Sequence, residues 1–318
     1  MESVRLTSAE IKQQCHDRLR QRPPPFSDDK SNYVVLCDKY GQETEFAVKI
    51  ADAFSADQLQ YDLAMMQFFK NGPASDKYTT PTGYGILEDT NYSFLVMERL
   101  SGQTTWERMN NGADDLSPAD ATAIAEALEA LQKDRIRSSI LIRGNKLTPL
   151  THWHPQGQLF GYDNDGGRMV DDRDDFHSFL KVRFEEAEVD PEVVSVTTDC
   201  LAHGEPSPHN LIHCPDGRIA FLDLRTTFLA PRWWDYYAVH RSIGGSKYSE
   251  PLKRAMERCG MGIDQRVLAE LDDKFLPWFC RLGGAWARRE NKERETQGRK
   301  DSARAVEPGQ SSGTVVAY

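Results

Sequence analysis

One stretch restricts this chain more than any other. From His203 to Asp223 it reads HGEPSPHNLIHCPDGRIAFLD. A His-Gly pair leads into a carboxylate, Glu205. Asn210 follows five residues later, and an apolar, strand-like run, Ile219 to Leu222, delivers a second carboxylate, Asp223. The fold must therefore bring a loop and the strand after it to one place. Acid, amide and acid in that order form the set that phosphoryl transfer from a magnesium nucleotide needs. One carboxylate orients the attacking hydroxyl, while an amide oxygen and the other carboxylate hold the metal on the phosphates. Mg²⁺ takes few protein oxygens and keeps waters and phosphate oxygens for the rest. Asn210 and Asp223 are therefore the candidate metal ligands, although a turn Asn or a strand-end Asp taken alone is commonplace.

The pattern before this segment changes character near residue 100. A short helical pattern lies within residues 1–26 and is stopped by Arg22-Pro23-Pro24-Pro25. Two strand-like runs follow, Tyr33 to Cys37 and Glu45 to Ile50, joined by a turn-rich stretch that predicts a hairpin. Leu59, Leu63, Met66 and Phe69 have helical spacing. Thr82 to Met97 reads as two strands around Glu88-Asp89-Thr90-Asn91. About four strands and one helix predict an antiparallel sheet with a helix on it.

Beyond Gly102 the chain reads as mainly helical. Ser117-Pro118-Ala119-Asp120 is a helix start, with a capping Ser, a first-turn Pro and an acid three residues after the cap. Further helical patterns cover 176–188, 248–259 and 264–289. Residues 157–175 form a Gly- and Asp-rich loop, and Glu290 to Tyr318 reads as a polar, loosely attached tail. The expected units are 1–100, 101–290 and a tail over 291–318.

Composition excludes several classes. A net charge of -10 argues against a nucleic-acid partner, which needs a basic face. No apolar run approaches the length of a membrane-spanning helix. The N-terminal MESVRLTSAEIKQQ has no apolar core, so it does not read as a secretory signal. Six scattered cysteines without a C-x-x-C pair fit reduced thiols and a cytoplasmic protein. Oligomeric state is left open.

The catalytic-type segment resembles that of the aminoglycoside phosphotransferase and choline kinase-like family, relatives of protein kinases. Its usual pattern is H-G-D-x-x-x-x-N followed by I-D-W. The details Ser207-Pro208-His209-Asn210 and Ala230-Pro231-Arg232-Trp233-Trp234 are similar to a fungal branch of it. The resemblance runs from about Ser31 to Arg241. It implies an α+β, protein kinase-like two-lobed fold, with an N-terminal antiparallel sheet lobe carrying one helix and a larger, mainly helical C-terminal lobe. It also implies ATP and Mg²⁺ as cofactors, with a small-molecule hydroxyl, on a metabolite that is cationic in some readings, as the acceptor.

Residue by residue, the resemblance implies the following. His203 braces the loop and Asp235 supports it. Glu205 stands where the family has the Asp that orients the substrate hydroxyl. Lys49, in Phe46-Ala47-Val48-Lys49-Ile50, matches the strand lysine on the nucleotide phosphates, and Asp62 stands where its helix partner is usually Glu. Ser31 opens the first hairpin near the phosphates. Backbone groups from Met97 to Arg99 would meet the adenine edge as a hinge. Glu205 keeps the acid chemistry of Asp, but its extra methylene moves the carboxylate by about 1.5 Å, and displacements of that order cost about 10²-fold in rate. A second class of function is therefore carried alongside: a kinase-like scaffold that binds a ligand without phosphoryl transfer, or hosts another reaction in a biosynthetic pathway.

Two further clusters have two readings each. Trp233, Trp234, Tyr236 and Tyr237 would either cage a cationic amine or pack as core, and Trp278 and Trp286 invite the same choice. The acidic run Asp163 to Asp175 would either attract a cation or simply be solvated.

Overall fold

A computed structural model describes residues 6–21, 33–52, 56–72, 74–134, 178, 181–182, 184–195, 200–241 and 245–275. The first sheet is antiparallel, in the order β1 (Tyr33–Cys37), β2 (Glu43–Asp52), β5 (Tyr92–Glu98), β4 (Gly83–Glu88). Its central strands alternate in the way that buries both faces. Val48, Ile50, Phe94 and Val96 point to one side, where Ile11, Cys15 and Leu19 of α1 (Ser8–Gln21) cover them. Ala47, Leu95 and Met97 point to the other, against Leu59, Met65 and Met66 of α2 (Ala56–Asn71). Lys49 shares this inner face with Ala47, since period-2 alternation sets them together. Gln14 of α1 ties the helix to the edge strand by exchanging two hydrogen bonds of 2.9 Å with Cys37.

The other described residues are mainly helical beyond residue 104, but they carry two small sheets, of which the sequence pattern reveals only the strand at Ile219 to Leu222. One has the order β3 (Tyr78–Thr79), β9 (Ile219–Phe221), β8 (Leu211–His213), β6 (Gln103–Thr104), and the other pairs β7 (Cys200–Ala202) with β10 (Phe228–Ala230). Strands of two or three residues are too short for alternation to register. The helix α3 (Thr105–Arg108) opens with a capping box on Thr104. The helix α4 (Pro118–Gln132) starts as expected, with Ser117 Oγ accepting the Asp120 N–H at 3.1 Å. It packs with α5 (Trp234–His240) and α6 (Gly245–Arg258) over the small sheets; α7 (Gln265–Glu270) follows. The α+β, kinase-like arrangement of a sheet portion followed by a helical portion is thus the one observed.

The aromatic run after Pro231 belongs to the core. Trp234, Tyr236 and Tyr237 are at most 2% exposed, and Trp233 spends its Nε1–H on Ser195 O at 2.7 Å. These rings leave no face for a cationic guest. Trp278, Trp286, Ser31 and the acidic run 163–175 lie outside the described residues. No helix among the described residues is long and apolar enough to cross a membrane.

Candidate functional site

The inner face of the first sheet, α2 and the end of β9 converge on Lys49. Its Nζ lies 2.5 Å from Asp62 Oδ2 and 2.6 Å from Asp223 Oδ1. Lys49 and Asp62 are 13 residues apart, one on a strand and one on the helix packed against it. Asp223 is 174 residues from Lys49 and arrives through the fold. The Tyr33 ring lies 5.9 Å from the ammonium. Burial by itself would neutralise Lys49, but the Asp223 and Asp62 carboxylates outweigh it and hold the lysine charged, above its ordinary value. Burial raises Asp62, and Lys49 opposes that rise. Burial also works against ionised Asp223, but Arg225 and Lys49 win, and its carboxyl is held down at about 2.

Arg225 is a member of this cluster that sequence reasoning missed. Its Nε lies 2.9 Å from Asp223 Oδ1, an ion pair without the alignment of a hydrogen bond. Its Nη1 donates to Gln58 Oε1 on α2 at 2.5 Å. Leu224–Thr226 form a single 3-10 turn, entered through Asp223 in the left-handed conformation (φ 56°, ψ 57°). A left-handed non-glycine residue costs about 1–2 kcal/mol and concentrates at functional sites. That turn is what puts Arg225 beside a carboxylate only two residues earlier.

The segment His203–Asn210 is fixed differently, through its backbone. Asp235 of α5 accepts the Gly204 N–H at 2.9 Å on Oδ1 and the His203 N–H at 3.3 Å on Oδ2. His203 Nδ1 faces the Glu205 N–H at 3.3 Å, so Nε2 carries the proton and donates to Leu222 O at 2.9 Å. Burial pushes this imidazole down to about 4, so it stays neutral. His203 thereby ties the loop to the residue before Asp223, and a second tie runs from Leu222 N–H to Asn210 O at 2.8 Å. Gly204 sits at φ +85°, where an added Cβ would come within 2.1 Å of Thr226 O. Tyr248 closes the loop from α6 by donating to Pro206 O.

Glu205 is 5% exposed, and its carbonyl accepts Asn210 Nδ2 at 3.1 Å and Ser207 N–H at 2.7 Å. The Asn210 amide nitrogen is therefore committed to the loop, and the oxygen it has left is Oδ1. Asn210 Oδ1 and Asp223 Oδ2 take no hydrogen bond among the described residues. Two hard oxygen acceptors, one of them anionic, lie on neighbouring backbone, a donor set that fits Mg²⁺. Among the described residues no group of three or more His, Cys, Asp or Glu is placed to hold a metal ion.

The expected hinge leaves the first sheet at the end of β5. Met97 is buried in β5, and the N–H groups of Glu98 and Arg99 donate to Thr82 O and Glu45 O, both at 2.8 Å. The Arg99 side chain pairs with Glu43. An adenine edge would therefore find those two N–H groups already taken.

A family model described as the phosphotransferase enzyme family, APH, matches residues 23–294. The chain belongs to that family. No curated protein matches it. Among solved structures, a co-crystal of WbdD and a kinase inhibitor aligns at 12% identity with a TM-score of 0.33, over 70% of this chain and 43% of that one. The chain thus spans less than half the length of that relative.

Proposed function

We propose that this protein transfers the γ-phosphate of ATP to a hydroxyl group of a small molecule, with Mg²⁺ as the second cofactor. The observation that carries this reading is the convergence on Asp223: a buried lysine on one oxygen, an open second oxygen, and the Asn210 amide oxygen on adjoining backbone. Asp223 Oδ2 and Asn210 Oδ1 would hold the metal. Bound Mg²⁺ would supply charge neutralisation at the phosphate oxygens. Lys49 has three donors and spends two on carboxylates here, so an ammonium N–H is available for a phosphate oxygen. Glu205 would orient the acceptor hydroxyl, and neutral His203 and Asp235 would hold the loop without moving a proton. The acceptor would be a hydroxyl-bearing small molecule, and the aromatic cluster, packed as core, would not be what holds a cationic group on it.

Thermal shift with ATP and Mg²⁺ tests this. Nucleotide at 100 times its Kd stabilises by about 2.7 kcal/mol, and Asp223→Ala is expected to abolish the metal-dependent part. An unchanged shift in that variant removes Asp223 from the site.

The occupied Glu98 and Arg99 N–H groups favour a second reading, a scaffold that binds a different ligand without phosphoryl transfer. No shift at millimolar ATP selects it. A shift followed by ATP consumption with an alcohol acceptor eliminates it.

A further inference from the structure

Gln58, Tyr61 and Asp62 stand at i, i+3 and i+4 on α2, so they share one face of the helix. All three reach out of it. Asp62 meets Lys49, Gln58 meets the Arg225 guanidinium, and buried Tyr61 donates its hydroxyl to Thr227 O at 2.7 Å, across 166 residues of chain. Two of the three thus end on the short turn 224–227 that follows Asp223. The loop 203–210 grips that turn from its other side. Thr226 Oγ1 donates to His203 O at 2.9 Å, and Thr227 Oγ1 reaches the same oxygen at 3.4 Å. Gly204, the next loop residue, lies against Thr226 O with no room for a Cβ. The turn therefore stands between the helix that holds Lys49 and the loop that carries Glu205 and Asn210.

We infer that Tyr61 is a positioning residue: through the Thr227 carbonyl it fixes the turn, and through the turn it holds the Glu205 loop in place relative to Lys49. Its kinetic consequence rests on the phosphotransferase reading given above. The three ties from α2 differ in kind. Asp62 and Gln58 meet cationic side chains, which an arriving phosphate can draw away. Tyr61 is a rigid ring bonded to main chain, so its tie stays while the charges rearrange. Burial, reinforced by the neighbouring Asp62 carboxylate, holds its phenol above the ordinary value, and it remains a donor. A displacement of about 1 Å at a reacting group costs about 10²-fold in rate. A fixed tie between the lysine side and the acid side limits such displacement.

The test is amide hydrogen exchange in the full chain carrying Tyr61→Phe, which keeps the ring and loses the hydroxyl. Exchange of the His203 and Gly204 N–H groups is expected to rise about tenfold, the scale of one buried hydrogen bond, while the amides of β2 and β5 stay within about twofold of wild type. A Tyr61 that merely fills space leaves the loop amides unchanged, because Phe fills the same space; that result overturns the inference, and so does an equal rise in the sheet. Thr226→Val cuts the turn from His203 on the other side. If Tyr61 acts through the turn, adding Tyr61→Phe to it raises loop exchange by less than about twofold more, whereas a further tenfold rise means independent effects and overturns the inference. If Thr226→Val fails to fold, Tyr61→Phe alone decides. In turnover, Tyr61→Phe is expected to lower kcat about tenfold with the KM for ATP within about twofold, and an unchanged kcat overturns the inference. A wild-type chain that consumes no ATP across a panel of alcohols ends the phosphotransferase reading, and the exchange result still decides Tyr61.

Discussion

The two halves of the site are held together by different physics. Around Lys49 the ion-pair partners are charged side chains, Asp62, Asp223 and, through Asp223, Arg225, with the Tyr33 ring further off. Around Glu205 the side chains are spent on backbone: Asp235 on two N–H groups, His203 on Leu222 O, Asn210 on Glu205 O. Charge pairs can be exchanged for a ligand's charges as it binds. Bonds to backbone cannot be exchanged without unfolding the loop. The first half is therefore suited to accept phosphates and a metal, and the second to hold still while they arrive.

Breaking the charged half is expected to have the largest effect. Lys49→Met leaves Asp62, fully buried, and Asp223 without their shared cation. Removing one partner of a buried ion pair costs about 3–5 kcal/mol, and chemical denaturation should register a loss of that size. A loss below about 1 kcal/mol, the value of exposed pairs, would mean that the cluster is solvated and the contrast between the halves is wrong.

The backbone-held half is tested at Gly204. An alanine Cβ would sit 2.1 Å from Thr226 O, at φ +85°. The turn must shift or strain, at a cost of about 3 kcal/mol. Nucleotide affinity, if it resides in the charged half, should survive in the folded fraction while phosphate transfer is lost. Equal loss of both would show that the halves are not separable.

Much of this is legible in the sequence, and the limit is physical. Periodicity places Lys49 on a strand and Asp62 on the next helix, but their pairing is legible only through the family resemblance. The loop residues come in one uninterrupted run, His203 to Asp223. Arg225 was invisible because its partners depend on a 3-10 turn and on a helix 167 residues earlier in the chain. Of the second sheet only Ile219 to Leu222 reads as a strand; its partners are two or three residues long, too short to register. The Trp233–Tyr237 run had two readings because a cage and a core need the same residues; burial decided for the core.

The smallest expected effect sharpens the comparison through pH. Buried His203 is held down at about 4 from an ordinary 6.5. The unfolded chain thus binds a proton there before the folded one does, and stability falls as pH drops from 6.5 toward 4. Asp235 has the opposite sign. Burial raises it to about 6 from 3.8, against the pull of the two N–H groups it accepts, so the folded chain protonates first. Its contribution grows as pH drops from 6 toward 3.8 and is lost as pH rises through 6. The two slopes oppose each other over nearly the same window, and the backbone-held loop is buffered against pH between about 4 and 6. Asp235→Asn removes one slope. In that variant, denaturation midpoints should fall by the equivalent of roughly 2 kcal/mol between pH 6.5 and 4 beyond any wild-type change. A pH profile parallel to wild type would mean that Asp235 does not take up its proton in the folded loop. The loop's stillness would then rest on His203 alone.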